Sequence, residues 1–333
     1  MGSDDVMKAA VAVRSDRPPQ LLSVRRPEPQ PGQALVRVQA SGVNPLDLKI
    51  LDGAAAHARH PLPAVLGLDL AGKVIAVGAG VTNVDVGDEV FGLTGGVGGI
   101  PGSLAEYTAV DASLLAIRPR TLSAREAASV PLVFITAWEG LVDRARISAD
   151  QTVLIHGGAG GVGHAAVQLA VSNGARVYAT GSPRDQSYIE KIGASFIDYR
   201  TESVDAYVEH LTADKGFDIV FDTVGGSTLD ASFSAVRRHG HVVSALGWGT
   251  HALAPLSFRG ASYSGVFTLL PLLSGEGRAH FGEILRHAAA LIDSRRFLPR
   301  VDPREFSLDS VAEAYELIRG HSSRGKVVIN VAD

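Results

Sequence analysis

The chain has no cysteine. Disulfides, thiolate metal sites and a cysteine nucleophile are therefore excluded. No apolar run reaches the roughly 18 to 20 residues that a membrane-spanning helix needs. The net charge is only −4, which is too weak and of the wrong sign to gather nucleic acid or an anionic membrane. The opening, MGSDDVMKAAVAV, lacks the basic-then-apolar order of a secretory signal. Met7 reads as an alternative natural start with residues 1–6 as a leader, and the cytoplasm is the expected compartment. Internal repeats and low-complexity tracts are also missing.

What is present is an ordinary globular composition, 46% hydrophobic and 20% charged. At about 150 residues per domain, 333 residues predict two domains. Up to about residue 125 the texture is rich in strands and loops. ALVRVQASGV alternates like a half-buried strand, and DLAGKVIAVGAGV and GDEVFGL read as short strands punctuated by glycine. RRPEPQPG is an extended surface turn, and LTGGVGGIPGS (93–103) is a glycine loop where backbone can approach a ligand.

From about residue 150 the rhythm changes. Strands are predicted at 152–156, 175–180, 195–199, 217–222 and 241–246, with helices at 161–173, 184–192, 203–212 and 227–236 between them. Such alternation means βαβ units and a doubly wound parallel sheet, an α/β fold. Helices at 279–293 and 310–319 and a last strand in GKVVINV have no βαβ partner, so this tail is expected to rejoin the N-terminal part.

Gly158, Gly160 and Gly163 satisfy G-x-G-x-x-G between the first of these strands and its helix. That context makes it a dinucleotide-binding turn, with Gly158, Ala159, Gly160, Gly161, Val162 and Gly163 facing a pyrophosphate. The other reading is a glycine turn that only packs helix on strand. GHSSRGKV (320–327) nearly matches a P-loop, but Val327 replaces the hydroxyl and a strand follows, so it reads as a helix C-terminal turn. At the end of the second strand no acid stands at Thr180, Gly181 or Ser182 to hold a ribose diol. Ser182 and Arg184 suit a 2′-phosphate instead, which predicts NADPH. Arg184 also reads as a plain solvated charge, and Asp185 as the cap of the next helix.

Several ordered stretches together resemble the zinc-independent quinone oxidoreductase branch of the medium-chain dehydrogenase/reductase superfamily, the group that includes ζ-crystallin. They are SGVNPLDLKILDG (41–53), PLPAVLGLDLAGKVIAVGAGVTNVDVGDEVFG (61–92), GSLAEYTAV (102–110), PLVFITAWEGL (131–141), VLIHGGAGGVGHAAVQLA (153–170), GASFIDYR (193–200) and RGKVVINV (324–331). The resemblance implies a GroES-like β-rich domain, residues 1–129 and 271–333, split around a Rossmann domain, residues 130–270, with the active site in the cleft. It implies NADPH, with Tyr199, beside Arg200, and Ser182 at the 2′-phosphate.

The resemblance also implies that no metal is bound. The zinc-bearing cousins place His in a G-H-E motif, where this chain has Gly67-Leu68-Asp69. His57 and His60 form H-x-x-H without an evident third ligand and read as exposed loop residues. Relatives often carry Tyr where Lys49 stands, and those with Lys resemble reductases of enones and alkenals.

The implied reaction is hydride transfer to a small quinone or α,β-unsaturated carbonyl, with an enoyl-thioester reductase and a non-catalytic NADPH-binding protein as the alternatives. The expected catalytic residues are Asn44, as a donor to the substrate oxygen or a turn residue before Pro45, Lys49, as a stabiliser of the enolate or a solvated lysine, and Thr136, near the nicotinamide or in the core. Gly247 and Trp248 are expected to border the cofactor and Phe267 its carboxamide, although the aromatics also fit a core or a dimer interface. The apolar run RGASYSGVFTLLPLL (259–273) reads as a β-prone edge that a homodimer would cover.

Overall fold

The structure is a computed structural model that describes residues 6–332. Apart from Val6, the expected leader lies outside the described residues. The chain divides into two compact units, Met1–Leu132 with Leu269–Asp333, and Val133–Thr268.

In the first unit the long strand Gln33–Gly42 is the hub of a seven-stranded sheet. It pairs antiparallel with Asp69–Val77, Tyr107–Asp111 and Val328–Asn330. The last pairing returns the C-terminal tail to the N-terminal part, as the missing βαβ partner predicted. A three-stranded sheet adds Gln20–Arg25 and Ala64–Val65 on either side of Val6–Ala12. Met7, Ala9 and Val11 of that central strand bury one face against Ala105, and Ala10 and Ala12 on the other face are buried as well.

In the second unit six strands, numbered here in chain order, are β1 (Thr152–His156), β2 (Arg176–Gly181), β3 (Ser195–Asp198), β4 (Phe217–Asp222), β5 (Val236–Ser244) and β6 (Ser262–Gly265). The spatial order is β3-β2-β1-β4-β5-β6 and every pairing is parallel. That is the doubly wound Rossmann order. The central strand β1, TVLIH, is a near-continuous apolar run, as a parallel strand covered on both faces should be. Leu154, Val220 and Val242 pack with Phe217, Tyr207 and Phe233 in one buried cluster.

The run 259–273 is not the long edge strand expected. Only Ser262–Gly265 is strand. Before it the helix Ala254–Arg259 ends on Gly260 in the left-handed region, and after it Pro271 helps open the helix Leu270–Ser274. Gly past a helix end and Pro at a helix start punctuate the stretch more strongly than its apolar content extends it. The GHSSRGKV turn follows the helix Val311–Arg319 and precedes the strand Val328–Asn330, as read. Among the described residues no helix is long and apolar enough to cross a membrane.

Candidate active site

The glycine turn joins β1 to the helix Gly161–Ser172. Its glycines differ in what they touch. A Cβ on Gly163 would lie 2.0 Å from the carbonyl oxygen of Gly157, and one on Gly158 would lie 2.6 Å from the Cβ of Ala179. A Cβ on Gly160 would meet nothing nearer than 3.2 Å. Gly158 and Gly163 therefore let the helix seat on the sheet, while Gly160 leaves its outer side open to a ligand. Gly160 is also the N-cap and has no capping side chain. The first helical N–H groups of Gly161, Val162 and Gly163 thus form a positive end that the N-cap side chain leaves uncapped, which suits a pyrophosphate.

Thr180, at the end of β2, fixes this turn. Its carbonyl accepts the Gly158 N–H at 2.9 Å, and its hydroxyl oxygen accepts the Gly157 N–H at 3.1 Å. Beside it, the strand order reverses between β1 and β4, the switch point where open α/β sheets bind ligands. Two buried polar residues end those strands in register, His156 and Asp222. Burial pushes the His156 imidazole down to about 4 against the opposing pull of Asp222, so the ring is neutral near pH 7. Asp222 accepts N–H groups from Val224 (3.0 Å) and Gly225 (2.9 Å) and the Ser244 hydroxyl (2.7 Å). The sequence reading passed over both, although TVLIH and FDIVFD end in polar residues where the apolar period predicts none.

Past β2 the structure brings Ser182, Arg184 and Asp185 together. The Ser182 hydroxyl donates to the Asp185 carboxylate at 2.6 Å. Arg184 Nε lies 3.6 Å from the same carboxylate, and its side chain is 74% exposed. Asp185 makes no side-chain capping bond to the helix Gln186–Lys191, which corrects its expected role as a cap. The Ser182 hydroxyl, the nearer donor, holds its carboxylate. Tyr199 is exposed and Arg200 lies over its ring at 5.9 Å. The Arg200 guanidinium is held above its usual range chiefly by the Tyr199 hydroxyl, with Asp198 and Asp185 adding charge.

After β5, Trp248 is exposed and meets Phe267 edge-on with ring centres 6.2 Å apart. Gly247 lies beneath the Tyr263 hydroxyl, where a Cβ would come within 2.2 Å. Thr136 is buried in the helix Pro131–Trp138, and its hydroxyl lies 3.0 Å from that of Thr268. Thr268 donates its single proton to Glu139 at 2.9 Å. With the Thr268 proton on Glu139, the Thr136–Thr268 contact needs Thr136 as its donor. Glu139 begins a π-helical turn, Glu139–Arg144, a distortion often found at functional sites.

In the first unit Asn44 precedes the helix Pro45–Leu51. Its side chain is buried and faces inward. The amide donates to Asp69 Oδ2 (2.8 Å) and to the Gly42 carbonyl (3.4 Å), and its oxygen accepts from Lys326 Nζ. Lys326 also donates to the Val43 carbonyl (3.0 Å) and pairs with Asp69 (3.1 Å). Both ends of the Asn44 amide are committed, which argues against the expected donation to a substrate oxygen. Lys49, on the same helix, is exposed. Asp47, fully buried on that helix, accepts N–H groups from Asn44 (2.7 Å) and Gly67 (3.2 Å). Burial pushes its carboxyl up to about 7, although the Asn44 bond and Lys326 pull it down. Asp47, Asp69 and Lys326 carry this network, and single-residue reasoning missed them because they lie far apart in the chain.

Among the described residues, no group of three or more His, Cys, Asp or Glu is placed to hold a metal ion. Leu68 stands at the position of the histidine in the zinc-bearing motif. His60 accepts the Gly99 N–H at 3.2 Å, a loop-packing role.

Two family descriptions match the chain: alcohol dehydrogenase GroES-like domain over residues 30–120, and zinc-binding dehydrogenase over residues 192–329. An NADPH-dependent alkenal/one oxidoreductase, chloroplastic, from Arabidopsis thaliana is 35% identical over 311 residues, 91% of this chain and 73% of the relative. A crystal structure of an alcohol dehydrogenase superfamily protein from Novosphingobium aromaticivorans is 56% identical, with a TM-score of 0.96 over 98% of this chain and 100% of that one. The quinone oxidoreductase structure from Coxiella burnetii is 30% identical, with a TM-score of 0.82 over 98% of this chain and 100% of that one.

Proposed function

The chain belongs to the medium-chain dehydrogenase/reductase superfamily, in its zinc-independent quinone and enone reductase branch, and from that premise we propose an NADPH-dependent reductase of small quinones or α,β-unsaturated carbonyls. The observation that carries the reading is the glycine turn, with Gly160 open and an uncapped helix N-terminus behind it. That cradle fits a dinucleotide pyrophosphate. Gly158, Ala159, Gly160, Gly161, Val162 and Gly163 would line it, with Gly247 and Phe267 toward the nicotinamide.

The reduced nicotinamide, when bound, supplies a hydride to an electron-poor carbon. The chain's own residues orient, hold charge and place protons. Lys49, exposed on the helix Pro45–Leu51, meets the negative charge that develops on the substrate oxygen. Asn44 acts as a positioning residue, locking the start of that helix to Asp69 and Lys326. Thr136, buried beside Thr268 and Glu139, stands near the nicotinamide in this reading. Pairing of β6 with its twin across a two-fold axis makes the homodimer we propose.

NADPH oxidation measured against quinones, alkenals and enoyl thioesters tests the reading. Turnover is expected on the first two classes, and turnover confined to thioesters would replace it with the enoyl-thioester alternative. Lys49→Ala is expected to lower kcat by more than it weakens NADPH binding, because it loses an interaction made only in the transition state. Unchanged kcat on the best substrate would return Lys49 to the solvated surface.

The preference for NADPH rests on Arg184, Tyr199 and Arg200, with Ser182 adding to it once its proton turns from Asp185 to the phosphate. Asp185 favours NADH instead, since a carboxylate there suits a ribose diol. Arg184→Ala separates the two. A charge-assisted hydrogen bond is worth roughly 1.5 to 3 kcal/mol, about 10- to 150-fold in affinity. Because Arg184 is largely exposed, the low end, about tenfold, is expected for NADPH, with NADH nearly unchanged. Titration of both nucleotides reads it. Equal loss for both would assign Arg184 to the fold, and a wild type that prefers NADH would assign Asp185 to the ribose.

A further inference from the structure

The loop after β5, residues 245–253, carries Gly247 and Trp248, and one side chain ties it to the neighbouring helix. His251 Nδ1 lies 2.8 Å from Asp230 Oδ1, on the helix Ser227–Ala235. Its Nε2 lies 3.1 Å from the carbonyl oxygen of Trp248. Both partners only accept hydrogen bonds, one a carboxylate and the other a main-chain carbonyl. A neutral imidazole has one N–H and serves one of them, whereas the imidazolium serves both.

The surroundings favour the cation. The Asp230 hydrogen bond raises the His251 pKa above the ordinary histidine value, the Trp248 carbonyl adds to this, and Asp222 from the end of β4 contributes charge. The rest of the loop, Ala245 to Thr250 with Ala252 and Leu253, bears no charge. The Phe233 ring lies edge-on to the imidazole at 6.3 Å.

We propose that His251 is a positioning residue: as the imidazolium it bridges Asp230 to the Trp248 carbonyl and fixes the loop, and as the neutral ring it lets one end go. The link from this bridge to cofactor binding rests on the reading above, that Gly247 and Trp248 border the nicotinamide. The bridge itself does not. The sign follows from the raised pKa. The stability that the bridge contributes is fully present below the unfolded value, roughly 6.5, and is lost as pH rises through the higher folded value.

Two measurements test this. The chain has two tryptophans, Trp138 and Trp248, so the difference between wild type and Trp248→Phe isolates the Trp248 signal. In cofactor-free protein, acrylamide quenching of that signal is expected to rise with pH, with a midpoint above roughly 6.5. Asp230→Asn should move the midpoint down. His251→Phe keeps a ring against Phe233, removes both donors and should give a flat profile. In NADPH titrations, wild type should lose affinity between neutral and alkaline pH by roughly two- to tenfold more than His251→Phe, the range of one ordinary hydrogen bond. A flat wild-type profile, a midpoint unmoved in Asp230→Asn, or a titration that survives in His251→Phe overturns the bridge. A quenching transition with no matching change in NADPH affinity keeps the bridge and overturns the placement of this loop at the cofactor.

Discussion

Gly163→Ala is expected to destabilise the protein by about 3 kcal/mol or more and to remove measurable cofactor binding. Overpacking a core usually costs roughly 1 to 3 kcal/mol because side chains and backbone shift to make room. Here the three atoms nearest the new methyl, at 2.0, 2.8 and 3.0 Å, are all backbone atoms of Gly157 and Gly158. No side chain can rotate away, so the helix must lift from the turn that presents its N–H groups. Gly160→Ala is the contrast. Its φ of −72° and ψ of 175° suit alanine, and its methyl meets only the Gly157 carbonyl at 3.2 Å. Stability should change by at most about 1 kcal/mol, while cofactor affinity falls about tenfold or more if, as proposed, the pyrophosphate approaches where the methyl stands. Urea unfolding and NADPH titration on both variants read the difference. A Gly163→Ala protein with the wild-type unfolding midpoint would falsify the packing argument.

Lys326→Met is expected to cost roughly 3 to 5 kcal/mol, the usual result of removing one partner from a buried ion pair. Lys326 is 7% exposed and Asp69 0%, so the remaining carboxylate cannot turn to solvent. The loss should depend on pH. Lys326 lowers the Asp47 pKa, so its removal raises that pKa further above about 7. An acid with a raised folded pKa binds its proton more tightly in the native state. Its favourable contribution is full below the unfolded value and is lost as pH rises through the folded one. The variant should therefore be least stable near pH 8 and recover part of the loss near pH 5. Adding Asp69→Asn should restore much of the stability, because Asn44, freed of Lys326, can turn its oxygen to the new amide. A double variant no more stable than Lys326→Met would show that the pair is not what holds these elements.

The second unit was legible in the sequence because its signals are local. Apolar runs of five or six residues alternate with helical periods, and the strands at 152–156 and 217–222 appear where that rhythm placed them. The glycine turn was legible for the same reason, since Gly158, Gly160 and Gly163 lie within six residues. Asp69 and Lys326 were not, although the chain shows both. Their pairing spans 257 residues, and no periodicity couples positions so far apart. The inward turn of Asn44 follows from that hidden pair. The expected edge strand at 259–273 failed differently. Its apolar residues run through the whole stretch, while Gly260 and Pro271 cut it into helix, four-residue strand and helix.

Thr180 touches the turn twice, and Ser182 follows it by two residues. On the proposed reading, the place that would hold a pyrophosphate and the place that would recognise a ribose are thus anchored to one residue at the end of β2. The span between them behaves as a ruler cut to a single length. On the proposed reading, substitutions that exchange one nicotinamide cofactor for the other fall within residues 182–185 and at Tyr199 and Arg200, since they change only what stands at the ruler's far mark. A change at Thr180 moves the ruler itself, and its cost falls on both cofactors alike.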